Sequence, residues 1–194
     1  MKVKTIEQLL IDHNVPKRYA QMKFEDLEID KKNKDAINDI GKTRDCLSKS
    51  NSLIENPLFL ILKGDHGNGK TRCAVHLMES AFKSFSGSIK NHFLWAPYFL
   101  SCYEIGKYRF DFEEEAKDKL FLFKSGFLVL DDVGRFAGYK GELEFLQHII
   151  EKRYNEMLST VLTGNTLEHF SERFQSILSQ FDLIHFGIDN SRRK

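Results

Sequence analysis

Five short apolar runs that alternate with amphipathic stretches constrain the fold of this chain more than any other feature. The runs are nearly continuous rather than strictly alternating, which is typical of strands that are covered on both faces. They span residues 58–62, 93–96, 127–130, 160–163 and 183–186. The amphipathic stretches predict helices over residues 71–85, 98–105, 111–123, 141–158 and 167–179. Strands that alternate with helices predict an α/β fold, with a five-stranded parallel sheet sandwiched between helices.

The beginning of the chain differs from the rest in composition. We expect residues 1–50 to form a helix and an extended segment that lead into a core over residues 51–194. An apolar stripe that begins at Ile6 follows Thr5, a candidate N-cap, and the helix ends before Pro16 because proline pushes the preceding residue out of the α region. The length of 194 residues is that of one ordinary domain with at most a short appendage.

The strongest motif lies between the first predicted strand and the first predicted helix. It reads Gly-Asp-His-Gly-Asn-Gly-Lys-Thr over residues 64–71 and satisfies the phosphate-loop pattern G-x-x-x-x-G-K-T. Its glycines let successive backbone N–H groups point at phosphate oxygens, and the following helix adds its positive N-terminal end. We expect Lys70 to reach the β and γ phosphates and Thr71 to ligate Mg²⁺. The candidate nucleotide-binding residues of this motif are Gly64, Gly67, Asn68, Gly69, Lys70, Thr71 and Arg72.

Polar side chains follow two further predicted strands. The run 127–130 continues into Asp131 and Asp132, and the run 160–163 is followed by Asn165. Asp131 is a candidate Mg²⁺ ligand through the water shell of the ion, and Asp132 is placed to orient or deprotonate an attacking water. Asn165 is a candidate for holding that water and sensing the γ-phosphate. The alternative is that both strands end in ordinary polar turns.

Charge and metal-binding residues exclude several classes of protein. Lys and Arg total 29 against 28 for Asp and Glu, which leaves a formal charge of +1, so any contact with DNA must be local. The three cysteines lack CxxC spacing and the seven histidines, including His66 at a variable loop position, show no metal-ligand arrangement. No stretch approaches the ~20 apolar residues that a membrane span requires. We therefore expect a cytoplasmic chain without membrane contact.

Four further segments, together with the phosphate loop, resemble a known family. They are Val15–Tyr19, Leu130–Gly134, Ile149–Asn155 and Thr163–Asn165. In this order they are similar to the V/I-P-x-R-Y, L-D-D-h-G, I-x-x-R-Y and T-T/S-N segments of the bacterial helicase-loader group of AAA+ ATPases (DnaC/DnaI type), which includes the transposition ATPase IstB. The resemblance covers about residues 13–194. Since the sequence stops soon after the last predicted strand, we expect the lid domain to be minimal or absent.

The resemblance implies a cofactor and a role for several residues. It implies ATP bound by Gly67–Thr71, with Mg²⁺ between this loop and Asp131, and it implies that Asn165 is the first sensor. Pro16 and Tyr19 are implied to lie near the adenine. Members of the family assemble into rings or spirals in which a neighbouring subunit supplies an arginine, so we expect self-association.

The sequence departs from this family at the usual trans arginine. The segment Glu172–Leu178 is similar to the family's E-R-h-x-S-R-h pattern, except that Ile177 stands in place of the second arginine. Such an arginine contributes ~10³–10⁵ in rate in related NTPases, and Asp132 is shorter than the glutamate of many AAA+ proteins. We therefore predict an ATPase with slow intrinsic hydrolysis, unless another arginine completes the site. The candidates are Arg153, Arg173 and Arg192.

The leading hypothesis implied by the resemblance is a DNA replication accessory ATPase. It would load or remodel a hexameric replicative helicase of the DnaB type on single-stranded DNA. The alternative is an IstB-like ATPase that acts in transposition or target selection on duplex DNA. A small-molecule P-loop kinase is less favoured, because residues 98–123 contain only Arg109 where such kinases carry an arginine-bearing lid. A scaffold that binds ATP without hydrolysing it also stays open, because of Ile177.

Overall fold

The computed structural model describes residues 4–27, 33–48, 56–85, 96–101, 104, 120–136, 140–168 and 170–187. Within these ranges a five-stranded sheet lies between two layers of helices. Its strands are β1 (Phe59–Gly64), β2 (Tyr98–Ser101), β3 (Phe127–Asp131), β4 (Ser159–Gly164) and β5 (Asp182–Phe186). The order is β2-β3-β4-β1-β5, and all neighbouring strands are parallel. The predicted α/β fold with a five-stranded parallel sheet is confirmed.

Seven α-helices fall within the described ranges. They are α1 (Ile6–Asp12), α2 (Lys17–Ala20), α3 (Lys34–Leu47), α4 (Lys70–Phe85), α5 (Leu120–Lys124), α6 (Lys140–Asn155) and α7 (Glu172–Leu178). Two short 3-10 helices, Phe24–Asp26 and Val133–Phe136, also lie in the described ranges. In this part of the chain, no helix combines the length and the apolar character needed to cross a membrane.

The sheet is buried on both faces because alternate residues of a strand enter different apolar clusters. In β1, Leu60 and Leu62 belong to a cluster with α1, α3 and α4, whereas Ile61 belongs to a cluster with α6 and α7. All three side chains are buried. Burial on both faces explains why the central strands have nearly continuous apolar sequences.

The second strand lies later in the chain than the sequence indicated. Of the predicted strand 93–96, only Ala96 lies within the described residues, and there it is part of a bend. The observed β2 lies inside the stretch 98–105, for which a helix was predicted, so that prediction is wrong over the strand. Phe99 and Leu100 are both buried, in opposite clusters, while the backbone pairs with β3. Burial on two faces and strand pairing outweigh the apparent helical pattern of this stretch.

Two predicted helices differ in length from the observed ones, and a third is described only at its end. Residues 111–119 of one lie outside the described ranges, and α5 accounts for its end. The helix α6 ends at Asn155, earlier than predicted, and Met157 beyond it has a φ of 54°, in the left-handed region where helices commonly end. The helix α7 begins later than predicted because Ser171 caps it by accepting a hydrogen bond from the N–H of Phe174 at 3.3 Å.

The N-terminal helices pack on the same core. Thr5 caps α1, since its Oγ1 accepts a hydrogen bond from the N–H of Gln8 at 3.2 Å. Leu10 is buried and Ile6 packs against the same cluster. The helix α3 adds Ile40, which is fully buried. The apolar faces of α1 and α3 are therefore used within the chain, and Leu27, which lies between these helices, is placed beside Gly69 of the phosphate loop.

Candidate nucleotide-binding site

The phosphate loop connects the end of β1 to the start of α4, and its glycines meet two different requirements. Gly67 and Gly69 have φ values of 80° and 85°, in the left-handed region that glycine adopts without strain. Gly64 has a close neighbour instead, because a Cβ atom there would lie 2.3 Å from the backbone oxygen of Phe186 on β5. The loop therefore requires glycine both for its curved backbone and for its fit against the sheet.

Lys70, the first residue of α4, is only 9% exposed. Its Nζ donates hydrogen bonds to the backbone oxygen of Gly64 at 2.7 Å and to that of Asp65 at 2.6 Å. Burial lowers the pKa of Lys70, and the charges of Asp132 and Asp131 oppose this effect. Both hydrogen-bond acceptors are neutral carbonyl groups, so the ammonium group lies at the phosphate loop and makes no ion pair with a carboxylate of the described residues.

Side chains from three elements meet at Asp131, the last residue of β3. Thr71 Oγ1 from α4 and Thr163 Oγ1 from β4 both donate to Oδ1 of Asp131, over 2.7 and 2.6 Å. Burial raises the pKa of Asp131, whereas the hydrogen bonds from Thr163 and Thr71 lower it. Asp131 is thus a partly buried acid whose charged form relies on the two hydroxyl donors.

Asp132 has a left-handed backbone, with a φ of 63°. This conformation costs a residue other than glycine roughly 1–2 kcal/mol and persists where the surroundings hold it. The N–H of Asp132 donates to Thr163 Oγ1 at 2.9 Å, so one hydroxyl accepts from Asp132 and donates to Asp131. Thr163 therefore links both acids to β4.

Asn165, directly after β4, contacts the phosphate loop. Its Nδ2 lies 2.6 Å from Nε2 of His66, and the two residues line the same cleft. They are 99 positions apart in the chain. The sequence patterns assign no role to His66, because nothing in its spacing indicates a contact with Asn165.

One cleft of about 890 Å³ collects most of the predicted site residues. Those that line it are Pro16, Tyr19, Gly67, Asn68, Gly69, Lys70, Thr71, Arg72, Asp131, Asp132 and Asn165. Gly64 contributes the backbone oxygen that accepts from Lys70. Thr163 and Phe99 also line the cleft, and the sequence did not single them out. Thr163 begins the segment that ends in Asn165, so the sequence indicates that it lies at the end of the same strand. The sequence does not indicate its hydrogen bond to Asp131.

The N-terminal helices contribute an aromatic part of the cleft. Pro16 and Tyr19 line it, and the guanidinium carbon of Arg18 lies 4.6 Å from the centroid of the Tyr19 ring. Arg72 from α4 donates to the backbone oxygen of Lys23 at 3.2 Å, which ties this segment to the phosphate-loop helix. An aromatic and apolar surface beside a phosphate loop fits a nucleobase.

The acidic part of the cleft has the ligand types of a magnesium site. The hydroxyl of Thr71 and a carboxylate oxygen of Asp131 lie 2.7 Å apart next to Lys70. In NTPases, Mg²⁺ is bound through one or two such oxygens together with phosphate oxygens and waters. Across the described ranges, no group of three or more His, Cys, Asp and Glu side chains is arranged to hold a metal ion by itself. The residues present fit a magnesium ion that binds together with phosphate.

Arg153, one of the arginines considered for a neighbouring subunit, lies in the interior of the chain. Its side chain is fully buried on α6, and burial lowers its pKa to about 9. It donates hydrogen bonds to Thr160 Oγ1, Ser125 Oγ and the backbone oxygens of Leu122 and Ser159. This environment gives Arg153 a structural role, and a buried side chain does not reach a second subunit.

The other arginines have different surroundings. The Arg173 side chain on α7 is 86% exposed and pairs with Glu151 at 3.1 Å. Ile177, which stands in place of the usual trans arginine, packs against the cluster with α6 and α7. Arg192 lies outside the described residues. Arg173 is therefore the candidate arginine that the structure shows at the surface.

The phosphate loop, the acids at the end of β3 and the amide after β4 define a P-loop NTPase with an AAA+ core. A comparison with protein families identifies the particular family to which the chain belongs. Residues 14–180 match the family described as IstB-like ATP binding protein, and the chain belongs to this family. No curated protein matches the sequence.

Solved structures share the AAA+ fold at low sequence identity. The DnaC helicase loader is 22% identical with a TM-score of 0.62, and the match covers 88% of this chain and 99% of that one. DnaI is 17% identical with a TM-score of 0.63, over 92% and 95% of the two chains. AMPPCP-bound DnaA from Aquifex aeolicus is 18% identical with a TM-score of 0.59, over 88% and 51%. This chain thus spans about half the length of the DnaA structure.

Proposed function

We propose that this chain is a cytoplasmic DNA replication accessory factor that uses ATP to load or remodel a hexameric helicase of the DnaB type on single-stranded DNA. The observation that supports this most is the similarity to the DnaC helicase loader, whose chain is matched almost from end to end. The family match supports ATP as the nucleotide. In this proposal, binding of ATP in the cleft controls binding of the helicase.

Several side chains of the cleft have a defined task in this proposal. Lys70 and the N–H groups of the loop bind the β and γ phosphates. Thr71 and Asp131 hold Mg²⁺, which neutralises charge on the phosphate oxygens when bound. Asp132 orients or deprotonates the attacking water, and Asn165 holds that water in place.

Intrinsic hydrolysis is slow in this proposal. Ile177 supplies no positive charge where related proteins carry a trans arginine, and the structure shows it packed against the core. Asp132 is one methylene shorter than a glutamate and therefore reaches less far toward a water molecule. Assembly into a ring or spiral would raise the rate, because Arg173 is exposed and able to approach a neighbouring subunit.

Helicase capture tests the proposed partner. The full 194-residue chain is immobilised and offered the replicative helicase of the same cell with ATP, with ADP or without nucleotide. Capture should be strongest with ATP and should be lost in Lys70→Ala. The matched control Lys42→Ala, which removes an exposed lysine from α3, should behave as the unaltered chain. Absence of capture in every nucleotide state would contradict the helicase-loading role.

Turnover measurements test the slow hydrolysis separately. The ATPase rate of the isolated chain is expected to be low and to rise with protein concentration as subunits assemble. Arg173→Ala should remove the concentration-dependent part. A brisk rate that is independent of concentration would contradict both the slow intrinsic step and the role of assembly.

A second candidate is an ATPase that acts in transposition or target selection on duplex DNA. The match to the IstB-like family favours it. With a formal charge of only +1, a single subunit has little general attraction to DNA, so assembly should be required for binding. Filaments on double-stranded DNA with ATP, seen by electron microscopy without any helicase present, would support this candidate over the loader.

A further inference from the structure

His66 occupies the cleft without a task in the function proposed above. It is the third residue of the phosphate loop, and its Nε2 lies 2.6 Å from Nδ2 of Asn165. An amide nitrogen only donates hydrogen bonds, so in this contact Nε2 of His66 is the acceptor. The contact joins the loop that binds phosphate to the residue proposed to hold the attacking water.

The contact selects one orientation of the Asn165 amide. The terminal torsion of an asparagine side chain is broad and roughly two-fold, so an unpaired amide exchanges its oxygen and nitrogen positions at little cost. Once one N–H is donated to His66, the position of Oδ1 is defined as well. That oxygen is the group of Asn165 that accepts a hydrogen from a water molecule.

The loop around His66 is held in place by its neighbours. The next residue, Gly67, has a φ of 80°, and Gly64 before it lies against the backbone of Phe186 on β5. Lys70 adds hydrogen bonds to the backbone of Gly64 and Asp65. The imidazole is therefore presented from a well-defined backbone rather than from a free loop end.

We propose that His66 is a positioning residue for ATP hydrolysis, which orients the Asn165 amide and through it the attacking water. The inference rests on the proposed ATPase activity and is independent of the proposed helicase partner. It also adds His66 to Lys70 and Thr71 as a residue through which the phosphate loop acts on the hydrolytic step.

A double-mutant cycle on the full chain tests the coupling. Single-turnover ATP hydrolysis is measured for the unaltered chain, His66→Ala, Asn165→Ala and the double variant, together with nucleotide affinity. His66→Ala should lower the hydrolysis rate about ten-fold, which is within the coupling range for contacting residues, and should change affinity less than two-fold. In the Asn165→Ala background the same substitution should have no further effect.

Two further variants separate positioning from a general effect of losing a histidine. His66→Gln supplies an acceptor oxygen at a similar reach and should restore most of the rate. His148→Ala removes an exposed histidine on α6, whose ring lies 5.7 Å from that of Phe123, and should leave the rate unchanged. Additive losses in the cycle, or a faster rate in His66→Ala, would overturn the proposal.

The contact between His66 and Asn165 can also be tested by NMR spectroscopy, without measuring ATP hydrolysis. The side-chain amide resonances of Asn165 in a ¹⁵N-labelled chain should shift in His66→Ala and stay in place in His148→Ala. Unchanged resonances in His66→Ala would also overturn the proposal. The helicase-capture experiment has its own readout, so loss of the partner and loss of the His66 coupling are distinguishable.

Discussion

Thr71 at the start of α4 donates a hydrogen bond of 2.7 Å to Asp131 at the end of β3, although the two residues are 60 positions apart in the chain. Thr163 donates a second bond to the same carboxylate oxygen. Because burial raises the pKa of Asp131, these donors and a bound cation decide how readily the acid carries its charge. The carboxylate proposed to hold Mg²⁺ therefore lowers the stability of the nucleotide-free fold when it is charged.

Asp131→Asn is expected to lower magnesium-dependent ATP hydrolysis by about 10–100-fold, the range seen when residues that orient a metal or its ligands are changed. Nucleotide binding without Mg²⁺ should persist, because Lys70 and the loop are unchanged. Titration of the nucleotide with and without Mg²⁺ measures both effects. Asp39→Asn on α3, which changes an exposed aspartate, is the matched control. An unaltered dependence on Mg²⁺ would contradict the role of Asp131.

The same substitution should stabilise the nucleotide-free chain. An acid whose folded-state pKa is raised destabilises the fold at a pH above that pKa, where the acid is charged. This destabilisation disappears as the pH falls below the folded-state pKa. Asparagine removes the charge and still accepts from Thr71 and Thr163. At pH 7 the Tm should rise by about 2–4 °C, which corresponds to about 1 kcal/mol in a domain of this size. A lower Tm in thermal denaturation would refute this expectation.

Glu79 on α4 is expected to make stability depend on pH. Its contacts with His76 at 3.3 Å and Lys83 at 2.7 Å hold its pKa at about 2, below the ordinary 4.5. An acid with a depressed pKa stabilises the fold above about pH 4.5, and that contribution is lost as the pH falls toward about 2. Urea denaturation should show Glu79→Gln less stable by about 1–3 kcal/mol at pH 7, with the difference shrinking at pH 3. An equal difference at both pH values would argue against this pairing.

Gly64→Ala should destabilise the chain by about 3 kcal/mol or more, because the added Cβ would lie 2.3 Å from the Phe186 backbone oxygen. Gly41→Ala is the matched control. Gly41 lies inside α3 with no atom within 4 Å of an added Cβ, so alanine should stabilise the helix by about 0.5–1 kcal/mol. Chemical denaturation of both variants measures the contrast. Tolerance of Gly64→Ala would show that the loop and β5 move apart easily.

Arg153→Ala should lower the free energy of unfolding by about 2–4 kcal/mol, because it leaves buried oxygens of Thr160 and Ser159 without their donor. Arg153→Lys should fail to restore the loss, since an ammonium group does not reproduce the planar fork of guanidinium. Nucleotide affinity well below the melting temperature should stay unchanged. Full stability with a loss of concentration-dependent ATPase activity would instead point to a role at a subunit interface.

Much of the nucleotide-binding site was predictable because its residues belong to patterns of neighbouring residues in the sequence. A phosphate loop is one contiguous segment, and Asp131 and Asn165 each follow an apolar run. Parallel strands bring their carboxyl ends to one edge of the sheet, so the order of the elements already implies that these side chains come together. The sequence patterns assigned no side-chain contact to Thr163 or His66, since their partners are 32 and 99 positions away.

The sequence by itself determined the α/β class, the phosphate loop and the strand that carries Asp131, because periodicity and glycine spacing act over a few neighbouring residues. Only the tertiary structure decided where β2 lies, that Arg153 is buried, and that Asn165 meets His66. Each of these depends on burial or on a hydrogen bond between distant segments, and such contacts exist only once the sheet has assembled.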